Sequence, residues 1–121
     1  MELGLEGKVA IVTGGSKGIG RATALCLAQE GANVVICARG VEDLEEAASE
    51  ISEISGRPVL SVRADMTVLE DIQNLVAATV SELGGVDILV NNAVNSVAAP
   101  FLELSDEDWL NHINVKVMGY V

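Results

Sequence analysis

A chain of 121 residues, half of them hydrophobic, is long enough for one domain with a real core and too apolar to be disordered. Its 18 acidic and 7 basic residues give a net charge of −11, which opposes binding to nucleic acid and to anionic membranes. A single histidine, His112, speaks against a zinc cluster, and neither a membrane span nor a signal peptide is evident. We therefore expect a cytoplasmic protein without a nucleic-acid, membrane or metal partner.

The two cysteines, Cys26 and Cys37, fall in a helical and a strand pattern respectively. Neither a C-x-x-C motif nor a nearby histidine accompanies them. We expect both to be buried thiols in a reducing compartment.

Short apolar runs alternate with helical patterns along the chain. They predict strands over residues 9–12, 33–38, 59–64 and 86–90, helices over 19–31, 41–55 and 68–83, and a last helix from about residue 105. This βαβαβαβα order predicts an α/β fold, a parallel sheet wrapped by helices through right-handed crossovers. Ligands of such folds bind at the carboxyl ends of the strands.

A glycine cluster follows the first predicted strand and leads directly into the first helix. Gly14, Gly18 and Gly20 have the spacing G-x-x-x-G-x-G, which differs from both the G-x-G-x-x-G fingerprint and the P-loop. A strand that ends in glycines and opens a helix presents free backbone N–H groups and the positive end of a helix dipole. The stretch therefore predicts a phosphate site, and the alternative is a glycine-rich connection without a ligand.

Several of the few basic residues cluster near the ends of the first three predicted strands. They are Lys17, Arg21, Arg39 and Arg63. In an acidic chain this predicts a local basic patch, and the alternative is scattered charge that serves solubility.

Three motifs in order carry a resemblance to a known family. The run from Thr13 to Gly20, Asp65 after the third strand, and Asn91-Asn92-Ala93 after the fourth are similar to the short-chain dehydrogenase/reductase family. The resemblance covers essentially the whole chain. It implies a Rossmann-type doubly wound parallel sheet, truncated after about four strands and four helices, in a single dinucleotide-binding domain over residues 1–121 that is incomplete relative to the family.

The resemblance also implies an activity and a set of cofactor contacts. The activity is hydride transfer between a nicotinamide dinucleotide and a small-molecule carbonyl or alcohol, and the protein is expected to be a homo-oligomer. The positions that match the family's cofactor contacts are Gly14, Ser16, Gly18, Ile19 and Gly20 near the phosphates, Asp65 and Met66 beside the adenine, and Asn91 and Ala93 at the adenosine ribose and the strand end.

The end of the second strand bears on the choice of cofactor. It reads Cys37-Ala38-Arg39, with no carboxylate before Glu42 to accept hydrogen bonds from a ribose 2′-hydroxyl. Arg39 and Lys17 would instead neutralise a 2′-phosphate. NADP(H) is therefore favoured over NAD(H), and the alternative is that Arg39 stacks on the adenine of either cofactor.

The chain departs from the family at its catalytic residues. The family's Ser and Tyr-x-x-x-Lys belong to a region after Val121, so we expect these 121 residues alone to be inactive. Seven residues after Trp109, where the family has an asparagine of its proton relay, the chain has Lys116. Lys116 is thus the one candidate catalytic residue, or the relay is absent. Val94 replaces the usual glycine beside the nicotinamide.

We therefore expect an NADP(H)-dependent oxidoreductase, present here as its cofactor-binding half. The alternative is a non-catalytic nucleotide-binding or structural module. If the 121 residues are complete, the fourth strand forms an apolar edge, and we expect self-association or marginal stability.

Overall fold

The computed structural model describes residues 3–92, and within them strands and helices alternate in the predicted order. The elements are β1 (Val9–Thr13), α1 (Gly18–Gln29), β2 (Asn33–Ala38), α2 (Val41–Ser55), β3 (Val59–Arg63), α3 (Leu69–Leu83) and β4 (Ile88–Val90). The helix predicted from about residue 105 lies outside the described residues.

The strands form one parallel sheet in the order β3-β2-β1-β4. Val12 of β1 pairs with Ile36 of β2 on one side and with Val90 of β4 on the other. All carboxyl ends therefore lie at the same edge of the sheet. The strand order reverses beside β1, and a crevice for a ligand forms at such a switch point.

Helices cover both faces of the sheet, as predicted for a doubly wound fold. Val34 and Ile36 of β2 pack with apolar residues of α1 and α2 in one cluster. Val35 and Cys37, which alternate with them along β2, belong to a second cluster with Leu75 of α3. Because successive side chains of a strand point to opposite faces, a strand covered on both sides reads as one continuous apolar run.

The strand β4 is shorter than predicted, because it begins at Ile88 and not at residue 86. The carboxylate Oδ2 of Asp87 accepts the backbone N–H of Val9 at 2.8 Å, and the Asp87 N–H donates to the Val9 carbonyl at 2.9 Å. The Asp87 side chain thus accepts the Val9 N–H at the position where a backbone carbonyl of β4 would otherwise accept it. The regular pairing starts one residue later, with Ala10 opposite Ile88.

The prediction that both cysteines are buried is confirmed for Cys37 and wrong for Cys26, which is exposed. The buried face of α1 consists of Gly20, Ala24 and Ala28, spaced four residues apart. Cys26 lies two positions from Ala24 and from Ala28, about 200° around the helix. It therefore faces away from the sheet. In the part of the chain that the structure describes, no helix combines the length and the apolar character needed to cross a membrane.

Candidate functional site

The glycine turn between β1 and α1 has the backbone geometry that the motif predicts. Gly14 and Gly18 have φ values of 65° and 56°, which side chains disfavour. The helix α1 begins at Gly18, and Lys17 at its N-cap makes no side-chain hydrogen bond to the first turn. The N–H groups of this turn are thus free of a side-chain cap, so the helix dipole and the donors can serve an anion.

The absence of a side chain at Gly20 allows β4 to approach the turn. A Cβ at this position would overlap the Gly14 carbonyl oxygen and the Asn92 amide nitrogen. Asn92 Nδ2 donates to the Gly14 carbonyl at 3.3 Å, and the Asn92 N–H donates to Thr13 Oγ1 at 2.9 Å. The hydroxyl of Thr13 in turn donates to the Val90 carbonyl at 3.2 Å. These bonds connect the ends of β1 and β4.

Asn92 is a functional candidate that the sequence reasoning missed, because it assigned roles to the neighbouring residues Asn91 and Ala93. Asn91 is exposed, and Ala93 lies outside the described residues. The feature that identifies Asn92 is the pairing register of β1 and β4, which the sequence alone does not supply. Since Val12 pairs with Val90, the residue two positions after each, Gly14 and Asn92, should also lie side by side on one face.

An open cleft of about 730 Å³ lies at the carboxyl ends of the strands. Eight of the predicted cofactor contacts line it, namely Gly14, Ser16, Lys17, Gly18, Ile19, Arg39, Asp65 and Met66. The other lining residues are Cys37, Ala38, Gly40, Asp43, Ala64 and Asn92. Gly20 and Asn91 are not among them, whereas Ala93, Val94 and Lys116 lie outside the described residues. The volume is in the range of ligand sites, about 300–1,000 Å³.

The predicted basic patch is largely neutralised by acidic partners. Lys17 Nζ lies 3.0 Å from Asp43 Oδ2, and Arg63 Nη1 lies 2.9 Å from Asp71 Oδ2. Arg21 forms an ion pair with Glu50 and does not line the cleft. Within residues 3–92, Arg39 makes no ion pair. Its guanidinium is thus available to an anion in the cleft.

Asp65 holds the β3–α3 connection in place through a set of local hydrogen bonds. Its Oδ1 accepts the Thr67 hydroxyl at 2.7 Å and the Thr67 N–H at 2.9 Å, while its own N–H donates to Asp71 Oδ2 at 2.9 Å. The Thr67 hydroxyl, aided by the Thr67 N–H and the charges of Arg39 and Arg63, lowers the pKa of Asp65 against the opposing effect of burial. The carboxylate is therefore ionised at neutral pH.

The end of β2 forms an uncharged part of the cleft. Burial raises the pKa of the Cys37 thiol to about 11, so the thiol is neutral. The Cys37 carbonyl accepts the N–H of Gly15 at 3.2 Å, which ties the glycine turn to β2. In residues 3–92, no group of three or more His, Cys, Asp and Glu side chains could hold a metal ion.

Comparison with known proteins identifies the relatives of this chain. The short chain dehydrogenase family model matches residues 8–121. The chain is 43% identical over 116 residues to the short chain dehydrogenase/reductase astE of Aspergillus oryzae, covering 95% of this chain and 44% of that protein. It is 37% identical over 115 residues to the uncharacterized oxidoreductase Lmo0432 of Listeria monocytogenes, covering 95% of this chain and 46% of that protein.

Solved structures agree with this match. L-sorbose reductase from Gluconobacter frateurii, complexed with NADPH and L-sorbose, is similar with a TM-score of 0.90 and 42% identity, covering 99% of this chain and 46% of that one. An alcohol dehydrogenase from Thermococcus sibiricus, complexed with 5-hydroxy-NADP, gives 0.85 and 34% identity, covering 93% and 48%. The chain thus spans less than half the length of these relatives. Since the family match, the sheet and the glycine turn agree, the chain belongs to the short chain dehydrogenase family of oxidoreductases.

Proposed function

We propose that this chain is the cofactor-binding part of an NADP(H)-dependent oxidoreductase acting on a small carbonyl or alcohol. The observation that carries the proposal is the cleft at the carboxyl ends of β1 and β2. It contains an α1 N-terminus without a side-chain cap and Arg39, which makes no ion pair within residues 3–92. The family's Ser and Tyr-x-x-x-Lys are expected outside these 121 residues, so this part alone should bind the dinucleotide without turnover.

The residues present fit the dinucleotide that the family implies. The backbone of the glycine turn, from Gly14 to Ile19, would hold the pyrophosphate, and Ser16 would add a hydroxyl. Asp65 and Met66 would lie beside the adenine. Once bound, the nicotinamide supplies the group that gives or accepts hydride.

A phosphorylated dinucleotide agrees best with the end of β2. Ala38 stands at the end of the strand, and Arg39 next to it is a forked cation suited to a phosphate. Two similar structures were solved with NADPH and with 5-hydroxy-NADP, which supports the same choice. Asp43 also lines the cleft, however, so the site contains a carboxylate that the end of β2 lacks.

Replacement of Arg39 by glutamine tests the cofactor preference. We expect Arg39→Gln to weaken NADPH binding by about tenfold, as lost charge-assisted hydrogen bonds would, and to leave NADH binding almost unchanged. Dissociation constants from the fluorescence of the reduced nicotinamide measure both effects. Lys8→Gln is the control, because Lys8 is exposed, precedes β1 and lies at the opposite end of the strand from the cleft.

Other outcomes would favour the alternatives. An equal loss for NADPH and NADH would mean that Arg39 stacks on the adenine. A folded protein that binds neither dinucleotide would support a structural module.

Five further expectations from the sequence stay predictions. They are the catalytic role of Lys116, the contact at Ala93, the single domain over 1–121, the homo-oligomer and the cytoplasmic location.

A further inference from the structure

The start of α1 and the first turn of α2 meet in an ion pair at the cleft. Lys17 Nζ lies 3.0 Å from Asp43 Oδ2, and both residues line the cleft. Their side chains are 76% and 53% exposed, so solvent surrounds the pair. Such a pair holds its partners weakly, because water screens the attraction and ordering two side chains costs entropy.

The exposure of this pair leaves Lys17 able to take another anion. An ammonium on a flexible stem can exchange a carboxylate for a phosphate, whose oxygens accept charge-assisted hydrogen bonds. Asp43 keeps its negative charge after the exchange. Since Asp43 lies beside Lys17, a phosphate held by Lys17 also lies near the carboxylate, and the two negative charges repel each other.

We propose that Asp43 is a specificity-determining residue of the cleft, an inference that rests on the function proposed above. Its carboxylate competes for Lys17 and weakens the binding of a dinucleotide that carries a 2′-phosphate. A ribose 2′-hydroxyl is uncharged, so the same carboxylate has little effect on the unphosphorylated dinucleotide. Asp43 thereby limits the preference for NADP(H) that Lys17 and Arg39 create.

The test compares Asp43→Asn with Glu42→Gln in titrations with NADPH and with NADH. Glu42 is a matched control, since it lies in the same first turn of α2, is exposed and does not line the cleft. Each change removes one negative charge from the start of α2, so any effect on the helix dipole is shared. We expect Asp43→Asn to tighten NADPH binding roughly fivefold with NADH within about twofold, and Glu42→Gln to leave both within about twofold.

A double variant tests the route of the effect. In a Lys17→Gln background, Asp43→Asn should lose the part of its gain that comes from competition for the ammonium and keep only the part that comes from direct repulsion of the phosphate. An undiminished gain in that background overturns the competition for Lys17. Unchanged or weaker NADPH binding by Asp43→Asn overturns the inference, and so does an equal gain with Glu42→Gln. Weaker NADH binding by Asp43→Asn also overturns it, since the carboxylate would then accept a hydrogen bond from the 2′-hydroxyl.

The Arg39→Gln titration, run in parallel, separates this inference from the proposed function. An Arg39 effect without an Asp43 effect overturns the inference alone. An Asp43 effect on the ratio of the two dissociation constants without an Arg39 effect supports the inference and contradicts the role of Arg39. Binding of neither dinucleotide by the folded wild-type protein overturns both.

Discussion

The close approach of the glycine turn to the end of β4 is possible because Gly20 has no side chain. Any Cβ on Gly20 would overlap the carbonyl of Gly14, which is in the turn, and the side-chain amide of Asn92, which follows β4. We expect Gly20→Ala to lower the free energy of unfolding by about 1–3 kcal/mol, because the backbone must move to make room. Since the moving part includes Gly14, which lines the cleft, NADPH binding should fall as well.

Gly85→Ala is the control for this substitution. A Cβ at Gly85 meets nothing within 4 Å, and the residue does not need a positive φ. We expect its denaturant midpoint and NADPH affinity to match the wild type. Urea unfolding and NADPH titration of the two variants check the prediction. Wild-type affinity in a destabilised Gly20→Ala protein would show that the cleft does not depend on this close contact.

The hydrogen bond between Thr67 and Asp65 predicts a pH-dependent contribution to stability. The pKa of Asp65 is lowered from its ordinary value of 3.8, chiefly by the Thr67 hydroxyl. A carboxyl with a lowered pKa in the folded protein stabilises it above its unfolded pKa, and the contribution is lost as the pH falls through the folded pKa. We therefore expect Thr67→Val to reduce stability at pH 7, by no more than about 1 kcal/mol because Asp65 is partly exposed, and to differ less from wild type as the pH falls below 3.8.

Thr23→Val separates this effect from the loss of an ordinary threonine hydrogen bond. The Thr23 hydroxyl donates to the Ile19 carbonyl at 2.7 Å, a bond between neutral groups whose strength does not change with pH. The difference between Thr23→Val and wild type should stay constant from pH 7 to pH 3. Melting temperatures at several pH values measure both differences. A constant difference for Thr67→Val as well would mean that Asp65 is not stabilised in its ionised form.

The regular elements were predictable because their hydrophobic patterns reflect burial on both faces of the sheet. All residues of β1 are buried, and α2 buries a stripe that includes Leu44, Ala47 and Ile51 at helical spacing. The start of β4 was not predictable, because it depends on the Asp87 side chain reaching a backbone N–H of a strand distant in sequence. The exposure of Cys26 was not predictable for a different reason. The buried positions of α1 are the small residues Gly20, Ala24 and Ala28, while larger apolar residues lie elsewhere on the helix, so the pattern gives a weak indication of which face is buried.

The candidate site was predictable where it depends on local backbone, and missed where it depends on packing between elements. The glycine spacing predicts the turn, because positive φ at Gly14 and Gly18 is a local requirement. To predict the role of Asn92, one must know how β1 and β4 pair residue by residue, and the order of elements along the chain does not give this register. To predict the position of Asp43, one must know the rotation of α2 about its axis, because this rotation brings Asp43 and not its neighbour Glu42 to the cleft.

Acidic residues of this strongly charged chain form ion pairs with several of its cations within residues 3–92. Asp43 pairs with Lys17 between α2 and α1, and Asp71 pairs with Arg63 between α3 and β3. With a net charge of −11, these 121 residues together repel an anionic dinucleotide at low ionic strength. Under the proposed function, attraction in the cleft therefore comes from short-range donors, namely the helix N-terminus and Arg39. One nearby carboxylate, such as that of Asp43, is then expected to change the affinity measurably.

The connection of β4 to the sheet is the least extensive in the described part of the molecule, and it predicts local unfolding. Among residues 3–92, β4 pairs only with β1, over three residues, whereas β2 pairs with strands on both sides. The Asp87 side chain adds a hydrogen bond from Val9 to this pairing. We therefore expect Asp87→Ala to lower the local stability of β4 by about 1–1.5 kcal/mol, which speeds its amide exchange by about tenfold. Exchange in β2 should not change.

Hydrogen exchange followed by mass spectrometry would measure this difference between the strands. Asp87→Asn keeps an oxygen acceptor and should give a smaller effect, while Glu82→Ala, which removes an exposed charge from α3, should give none. Equal acceleration in β2 and β4 would contradict the prediction, because Asp87 would then support the sheet as one cooperative unit. Faster exchange confined to β4 would mean that the side of the cleft formed by Asn92 can open while the glycine turn stays folded.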